Sequence, residues 1–227
     1  MDAVLFDMFG VIARDQSEEG RSALVRAAGA PAEDFWSAYW HPRQAYDRGD
    51  LDGPGFWRAV GERLGTSFDD AVAAELLELD VRSWSLVDED MVSFVGSLAA
   101  GGVKLGLLSN IPFENADYFE RHHARVLDLF EVLGLSCRLN LAKPEAAAYQ
   151  WCLDGLGVPP EKVLFVDDRP HNVEAAMALG LQGHVFTSRA ALQERLGIRR
   201  PAPGGRRRRD LERPAGTRVC TRTDHQA

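Results

Sequence analysis

VLFDMFGVI, residues 4–12, sets one acid among apolar neighbours: Asp7 follows Val4, Leu5 and Phe6, and Met8, Phe9 and the turn residue Gly10 come next. A short apolar run of this kind reads as a fully buried strand. A carboxylate at the end of such a strand is costly to desolvate unless something charged meets it. The stretch therefore predicts a partner for Asp7 elsewhere in the chain. It also poses a second question, why an aromatic, Phe9, stands two positions on, where another acid would help.

Two more runs have the same form, VKLGLLSN at 103–110 and KVLFVDD at 162–168. Both are apolar and both end in polar groups, Ser109 and Asn110 in one, Asp167 and Asp168 in the other. EVLGLS (131–136) and GHVF (183–186) add two shorter strands. Helical segments alternate with them. Residues 88–102 carry apolar side chains at 91, 92, 94, 95 and 98 and stop at Gly101-Gly102; 144–157 opens with proline and ends in glycine; 171–180 also ends in glycine. Alternating strands and helices predict an α/β fold, a doubly wound, Rossmann-like parallel sheet. In such a sheet the carboxyl ends of the strands form the ligand crevice. Three strands would thus deliver Asp7, Ser109, Asn110, Asp167 and Asp168 to one edge.

Between the first strand and the helix at 88 lie roughly 70 residues without a convincing strand, too long for a plain connection. Residues 16–29, 31–40, 53–65 and 68–79 read as amphipathic helices, so a helical cap inserted after the first strand is expected over 14–85, with the core formed by 1–13 and 86–198. Lying directly after Asp7, the cap must sit over the crevice. It is rich in aromatics (Phe35, Trp36, Tyr39, Trp40, Tyr46, Phe56, Trp57), most of which fit a small helical core. Apolar periodicity lapses in HPRQAYDRGD (41–50), which reads as a loop, and aromatics near it are the candidates for substrate contact.

Composition sets outer bounds. With 45% hydrophobic and 26% charged residues the chain is an ordinary globular one, and no apolar run is long enough to span a membrane. The amino terminus lacks the basic and apolar regions of a signal peptide, so a cytoplasmic location is expected. The net charge of −8 is uneven: the 29 residues from Arg199 onward contain nine arginines and three acids, leaving the body strongly acidic. The tail, 199–227, has almost no aliphatic residues and is expected to be disordered. Arg206–Arg209 could touch a phosphate-rich surface, but the acidic body argues against nucleic acid as the main partner. Cys137, Cys152 and Cys220 are odd in number and have no metal-binding spacing, so they are read as buried or free thiols.

Paired aspartates with a third carboxylate suit a hard, oxygen-ligated ion such as Mg²⁺. Lys143, in LAKPE, is the cation able to meet Asp7. This ordered set resembles the haloacid dehalogenase superfamily of hydrolases across nearly all of residues 1–198. FDMFGV is similar to its first motif, LLSN to its second, Lys143-Pro144 to its third and VDDRPHN to its fourth. The resemblance implies a nucleophile in Asp7, a transferred group held by Ser109 and the backbone around Asn110, and a charge-neutralising Lys143. It also implies Mg²⁺ on Asp7, the backbone carbonyl of Phe9 and Asp168, with Asp167 close behind and Asn172 in support. YDRGDLDGPGFW and DDRPHNVEAA are most similar, within the superfamily, to sugar-phosphate phosphatases and to the phosphatase-like amino-terminal domain of epoxide hydrolases.

Phe9 departs from that pattern, since phosphatases of the superfamily usually carry there a second aspartate that moves protons. Such help is typically worth about 10²–10⁴-fold. Three functions follow: a Mg²⁺-dependent phosphatase of small phosphorylated metabolites acting through an aspartyl-phosphate, a metal-free haloacid dehalogenase acting through an aspartyl ester, and a catalytically weak phosphate-binding protein. The acid pair favours the first. Adjacent carboxylates near Asp7 would repel strongly unless a cation joined them, and dehalogenases of the superfamily tend to lack the pair. Phe9 is then expected to close an apolar wall beneath the cap. The oligomeric state is left open.

Overall fold

The computed structural model describes residues 1–198; the arginine-rich tail and Cys220 lie outside the described residues. Five strands, β1 (Ala3–Phe6), β2 (Lys104–Ser109), β3 (Val132–Leu135), β4 (Val163–Asp167) and β5 (Gln182–Val185), form one parallel sheet in the order β3-β2-β1-β4-β5. Leu5 stands between Gly106 and Phe165, placing β1 at the centre. The strand order reverses there, so the crevice opens beyond Phe6, where Asp7 lies.

Period-two alternation distributes the strand side chains to two faces. Val4 and Phe6, with Leu105, Leu107, Leu164 and Val166, pack under α6 (Glu89–Ala100) and α7 (Phe113–His122). Ala3, Leu5, Val163 and Phe165 face α10 (Ala146–Leu156) and α11 (Pro170–Ala178) instead. Both faces are covered, as a sheet of near-continuous apolar strands requires.

Helices α1 (Glu18–Ala28), α2 (Ala32–Trp40), α3 (Arg43–Arg48), α4 (Gly53–Arg63) and α5 (Asp70–Ser83) fill the interval between β1 and α6. They enclose an apolar cluster of their own, with Leu24, Phe35, Tyr39, Tyr46, Phe56, Trp57, Val60 and Leu76 buried. Asp52 and Asp69 cap α4 and α5 through their side chains. The chain leaves and re-enters the sheet side by side: Ala13 bridges Val87, Arg14 N donates to the Leu86 carbonyl, and Asp88 N donates to that of Ile12.

One expectation needs correction. Residues 41–50 are not a loop: Arg43–Arg48 form helix α3, which Gly49 ends in the left-handed conformation. The stripe is short because its buried members are an arginine and a tyrosine, Arg43 and Tyr46, which no apolar period reveals. Helices α7, α8 (Ala124–Leu127), the short α9 (Ser136–Leu139) and α12 (Arg189–Arg195) add to those expected from the sequence.

Candidate active site

Asp7 lies one residue beyond β1, and its amide donates to the Val166 carbonyl, continuing the β1–β4 pairing. Its carboxylate is buried; Oδ1 accepts from Met8 N at 2.7 Å and meets Lys143 Nζ at 2.6 Å. The same ammonium lies 2.7 Å from Asp167 Oδ2. Lys143 thus bridges two acids from adjacent strands, and it is the partner that a buried Asp7 requires. Asn110 fixes it from the end of β2 by a pair of bonds: Lys143 N donates to Asn110 Oδ1 and Asn110 Nδ2 to the Lys143 carbonyl.

Asp167 is fully buried behind this pair. Arg169 N donates to its Oδ1 at 2.8 Å, and Asn172 Nδ2 lies 3.1 Å from both oxygens. Asp168 faces the open side, paired with the exposed Arg169. Carboxylate oxygens of Asp7, Asp167 and Asp168 lie within 4.8 Å of one another. Gly10 makes that approach possible. Its φ of +78° suits glycine, and a Cβ there would stand 2.8 Å from the Asp168 Cγ.

The electrostatics record a surplus of negative charge. Burial pushes the Asp7 carboxyl up to about 8, against the pull of Lys143 and with Asp167 adding to the rise. Burial also opposes ionisation of Asp167, but Lys143, Arg169 N and Asn172 outweigh it and hold that carboxyl low. Asp168 is raised, by burial first and then by Asp167 and Asp15. One buried ammonium is too little for three carboxylates, and the Asn172 Oδ1 and Ser109 Oγ atoms are buried with no partner among the described residues. Hard oxygen donors with excess charge fit a divalent cation such as Mg²⁺.

A cleft of about 430 Å³ opens on this edge. Asp7, Phe9, Asn110, Lys143, Asp168 and Asn172 line it. Ser109 and Asp167, also named from the sequence, are fully buried and do not line it. The helical insertion supplies another wall, Trp40, Arg43, Gln44 and Asp47, with Trp84 beside them. Phe9 packs edge-on against Trp84 at 5.2 Å and Phe119 at 5.8 Å, and Trp84 against Trp40 at 6.4 Å. Of the aromatics near 41–50, Trp40 reaches the cleft, whereas Tyr46 stacks on Phe56 inside the helical cluster. The polar wall of Arg43 and Asp47 is absent from the residues the sequence singles out. Its one signal is the lapse in apolar period at 41–50, which marks a polar helix lining a cleft and not a loop.

The family comparison fits this geometry. The model of the haloacid dehalogenase-like hydrolases matches residues 1–180, and the chain belongs to that family. It is therefore a hydrolase. It is similar to a sesquiterpene phosphatase of Aspergillus oryzae, 25% identical over 85% of this chain and 93% of the relative. A phosphoglycolate phosphatase of Rhodospirillum rubrum is 31% identical over 51% of this chain and 54% of its own. In fold it resembles a haloacid dehalogenase family enzyme of Bacteroides thetaiotaomicron, with a TM-score of 0.67, 18% identity, and 85% and 98% of the two chains covered; that structure is a complex with magnesium and inorganic phosphate. No helix among the described residues is long and apolar enough to cross a membrane.

Proposed function

We propose that this hydrolase is a Mg²⁺-dependent phosphatase of small phosphate monoesters, acting through an aspartyl-phosphate on Asp7. The observation that carries the reading is the packing of three carboxylates around the buried ammonium of Lys143. Asp7, Asp168 and the Phe9 carbonyl would hold the ion, with Asp167 behind them. When bound, it supplies the positive charge that lets the acids ionise together and draws electron density from the phosphoryl group.

The chain's own groups account for the rest. Asp7 is the nucleophile, attacking phosphorus with its carboxylate oxygen. Lys143 holds that charge and offers the incoming phosphoryl oxygens an ammonium. Asp167 and Asn172 keep Lys143 in place, and Asn110 does so through the backbone. Ser109 keeps a buried hydroxyl, without a partner among the described residues, at the end of β2 behind the cleft wall, as the donor proposed for the transferred group. Residues 14–85 act as the cap, and its aromatic wall with Phe9 suits a carbon-rich ester body. That wall fits the likeness to a sesquiterpene phosphatase better than a purely polar sugar phosphate. We place the enzyme in the cytoplasm.

The test is a hydrolysis screen over phosphate esters and haloacids, with Mg²⁺ and with a chelator. Phosphate release that needs Mg²⁺ is expected; halide release that survives the chelator would replace this reading with the dehalogenase one.

A further inference from the structure

Phe9 leaves a chemical deficit at this site. Alkoxide leaving groups are poor unless protonated as the P–O bond breaks, and a phenyl ring supplies no proton. The described residues place two acids in the cleft that have no part in holding the metal or the phosphoryl group, Asp15 and Asp47, together with His171. Asp15 and His171 are solvent-exposed. Asp47 is different in both setting and support.

Asp47 lies on the cap's side of the cleft, its side chain only 16% exposed. Its Oδ1 accepts from Arg43 Nε at 2.7 Å. Its Oδ2 has no hydrogen-bond partner among the described residues. Unlike a carboxylate on a free surface helix, it is anchored to the core at its own backbone. Ser136 Oγ, which accepts from Ile111 N, donates to the Asp47 carbonyl. Just beyond it, Arg48 bonds the Asn140 carbonyl and Glu145, and Gly49 packs so closely on Cys137 that a Cβ would meet its carbonyl oxygen at 2.8 Å. The end of α3 is thus seated on α9, and Asp47 is held in register with the sheet edge.

We propose that Asp47 is the proton-transferring residue of this enzyme, supplying from the cap what Phe9 cannot supply from the first motif. This rests on the phosphatase reading. In the first half-reaction Asp7 Oδ bonds to phosphorus, the P–OR pair moves to the departing oxygen, and the Asp47 carboxyl gives its proton to that oxygen, releasing the alcohol. In the second, Asp47 as carboxylate takes a proton from the water that attacks phosphorus. The P–O bond to Asp7 then breaks, restoring both acids and releasing phosphate. The surroundings suit both states. Burial raises the carboxyl to about 6, Asp80 adds to the rise, and Arg43 and Lys143 oppose it, so both forms are populated near neutrality. Ser136 of α9 reaches the Asp47 backbone carbonyl.

The test uses two esters, 4-nitrophenyl phosphate, whose leaving group needs no proton, and hexyl phosphate, whose leaving group does. In Asp47→Asn, kcat/KM for hexyl phosphate is expected to fall about 10²–10³-fold, while that for 4-nitrophenyl phosphate, which ends at leaving-group departure, changes less than about 5-fold. Phe9→Asp added to Asp47→Asn should recover most of the loss on hexyl phosphate, since it returns an acid to the first motif. Equal losses on both esters would mark Asp47 as merely structural and overturn the proposal. A leaving-group-selective loss in Asp15→Asn or His171→Gln, in place of Asp47→Asn, would overturn it too. Should Asp47→Asn not fold, the parent, Asp15→Asn and His171→Gln decide together: a shallow dependence of kcat/KM on leaving-group basicity kept in all three supports the proposal, and a steep fall from aryl to alkyl esters in any of them overturns it. A parent inert to both esters with Mg²⁺ present would overturn the phosphatase reading itself, and the role of Asp47 with it.

Discussion

At the sheet edge Lys143 sits between Asp7 and Asp167; in the cap Arg43 sits between Asp47 and Asp80. Both cations are buried, yet the clusters close differently. In the cap, fully buried Asp80 has each oxygen met. Tyr39 OH donates to its Oδ1 at 2.7 Å with Gln16 at 3.2 Å, and Arg43 Nη1 meets its Oδ2 at 3.0 Å. Trp84 and Arg43 in turn donate to the Tyr39 oxygen. At the edge a third acid, Asp168, enters without a buried cation of its own, and a serine hydroxyl goes unused. Around Asp80 the cap cluster is a framework, open among the described residues only at Asp47 Oδ2 and Gln16 Oε1. A cluster with surplus charge is what the proposed Mg²⁺ would complete.

The largest effect should come from the nucleophile. Asp7→Asn is expected to lower phosphate release by about 10⁴-fold or more, the scale of losing a nucleophile. Its unfolding curve should stay close to the parent's, because the amide keeps the shape and removes a costly buried charge. Turnover near the parent's would break the edge half of the comparison.

Next come the two cations. Lys143→Met and Arg43→Met each leave buried acids unpaired, and each should cost about 3–5 kcal/mol in urea unfolding. They should differ in rescue. Mg²⁺ is expected to restore part of the stability lost in Lys143→Met and none of that lost in Arg43→Met. Equal responses would erase the distinction.

Metal binding follows. Asp168→Asn should weaken Mg²⁺ binding, read by calorimetry, with activity partly recovered at high Mg²⁺. Asp167→Asn, removing a group that acts through Lys143, should cost about 10–100-fold.

The smallest effect is on pH dependence. An acid whose folded pKa lies above its unfolded value favours folding at low pH, and that advantage fades as pH rises between the two values. Asp47, raised to about 6, should therefore contribute a decline in stability between about pH 4 and 6, on the order of 1–3 kcal/mol. Asp7 should extend the decline toward about pH 8 in the metal-free protein. Mg²⁺ should flatten the Asp7 part only, and Asp47→Asn the other.

The same contrast explains what the sequence disclosed. The edge cluster is legible because each member sits where a buried strand stops: Asp7, Asn110 and Asp167 are marked by the apolar runs before them, and Lys143 and Asn172 by their place in motifs. The cap cluster has no such punctuation. Asp80 falls inside an amphipathic helix and looks like a surface acid, and Tyr39 looks like one more core aromatic. Only the packing of α2, α3 and α5 brings them to Arg43. The aromatic wall expected of Phe9 is present, since its ring does meet Trp84 and Phe119. Helix α7 shows a short apolar face, Phe113, Ala116 and Phe119, that a reading by long apolar runs passes over.

The adjacency of residues 13 and 87 has a consequence for the architecture as a modular object. Because the two crossings are hydrogen-bonded neighbours, everything between them joins the sheet domain covalently through one doorway. A short turn joining the two sides would seal that doorway without stretching a strand. Replacing residues 14–86 with a glycine-rich turn is therefore expected to leave a smaller, self-standing parallel sheet, and the same doorway could accept a different insert without redesign of the floor below.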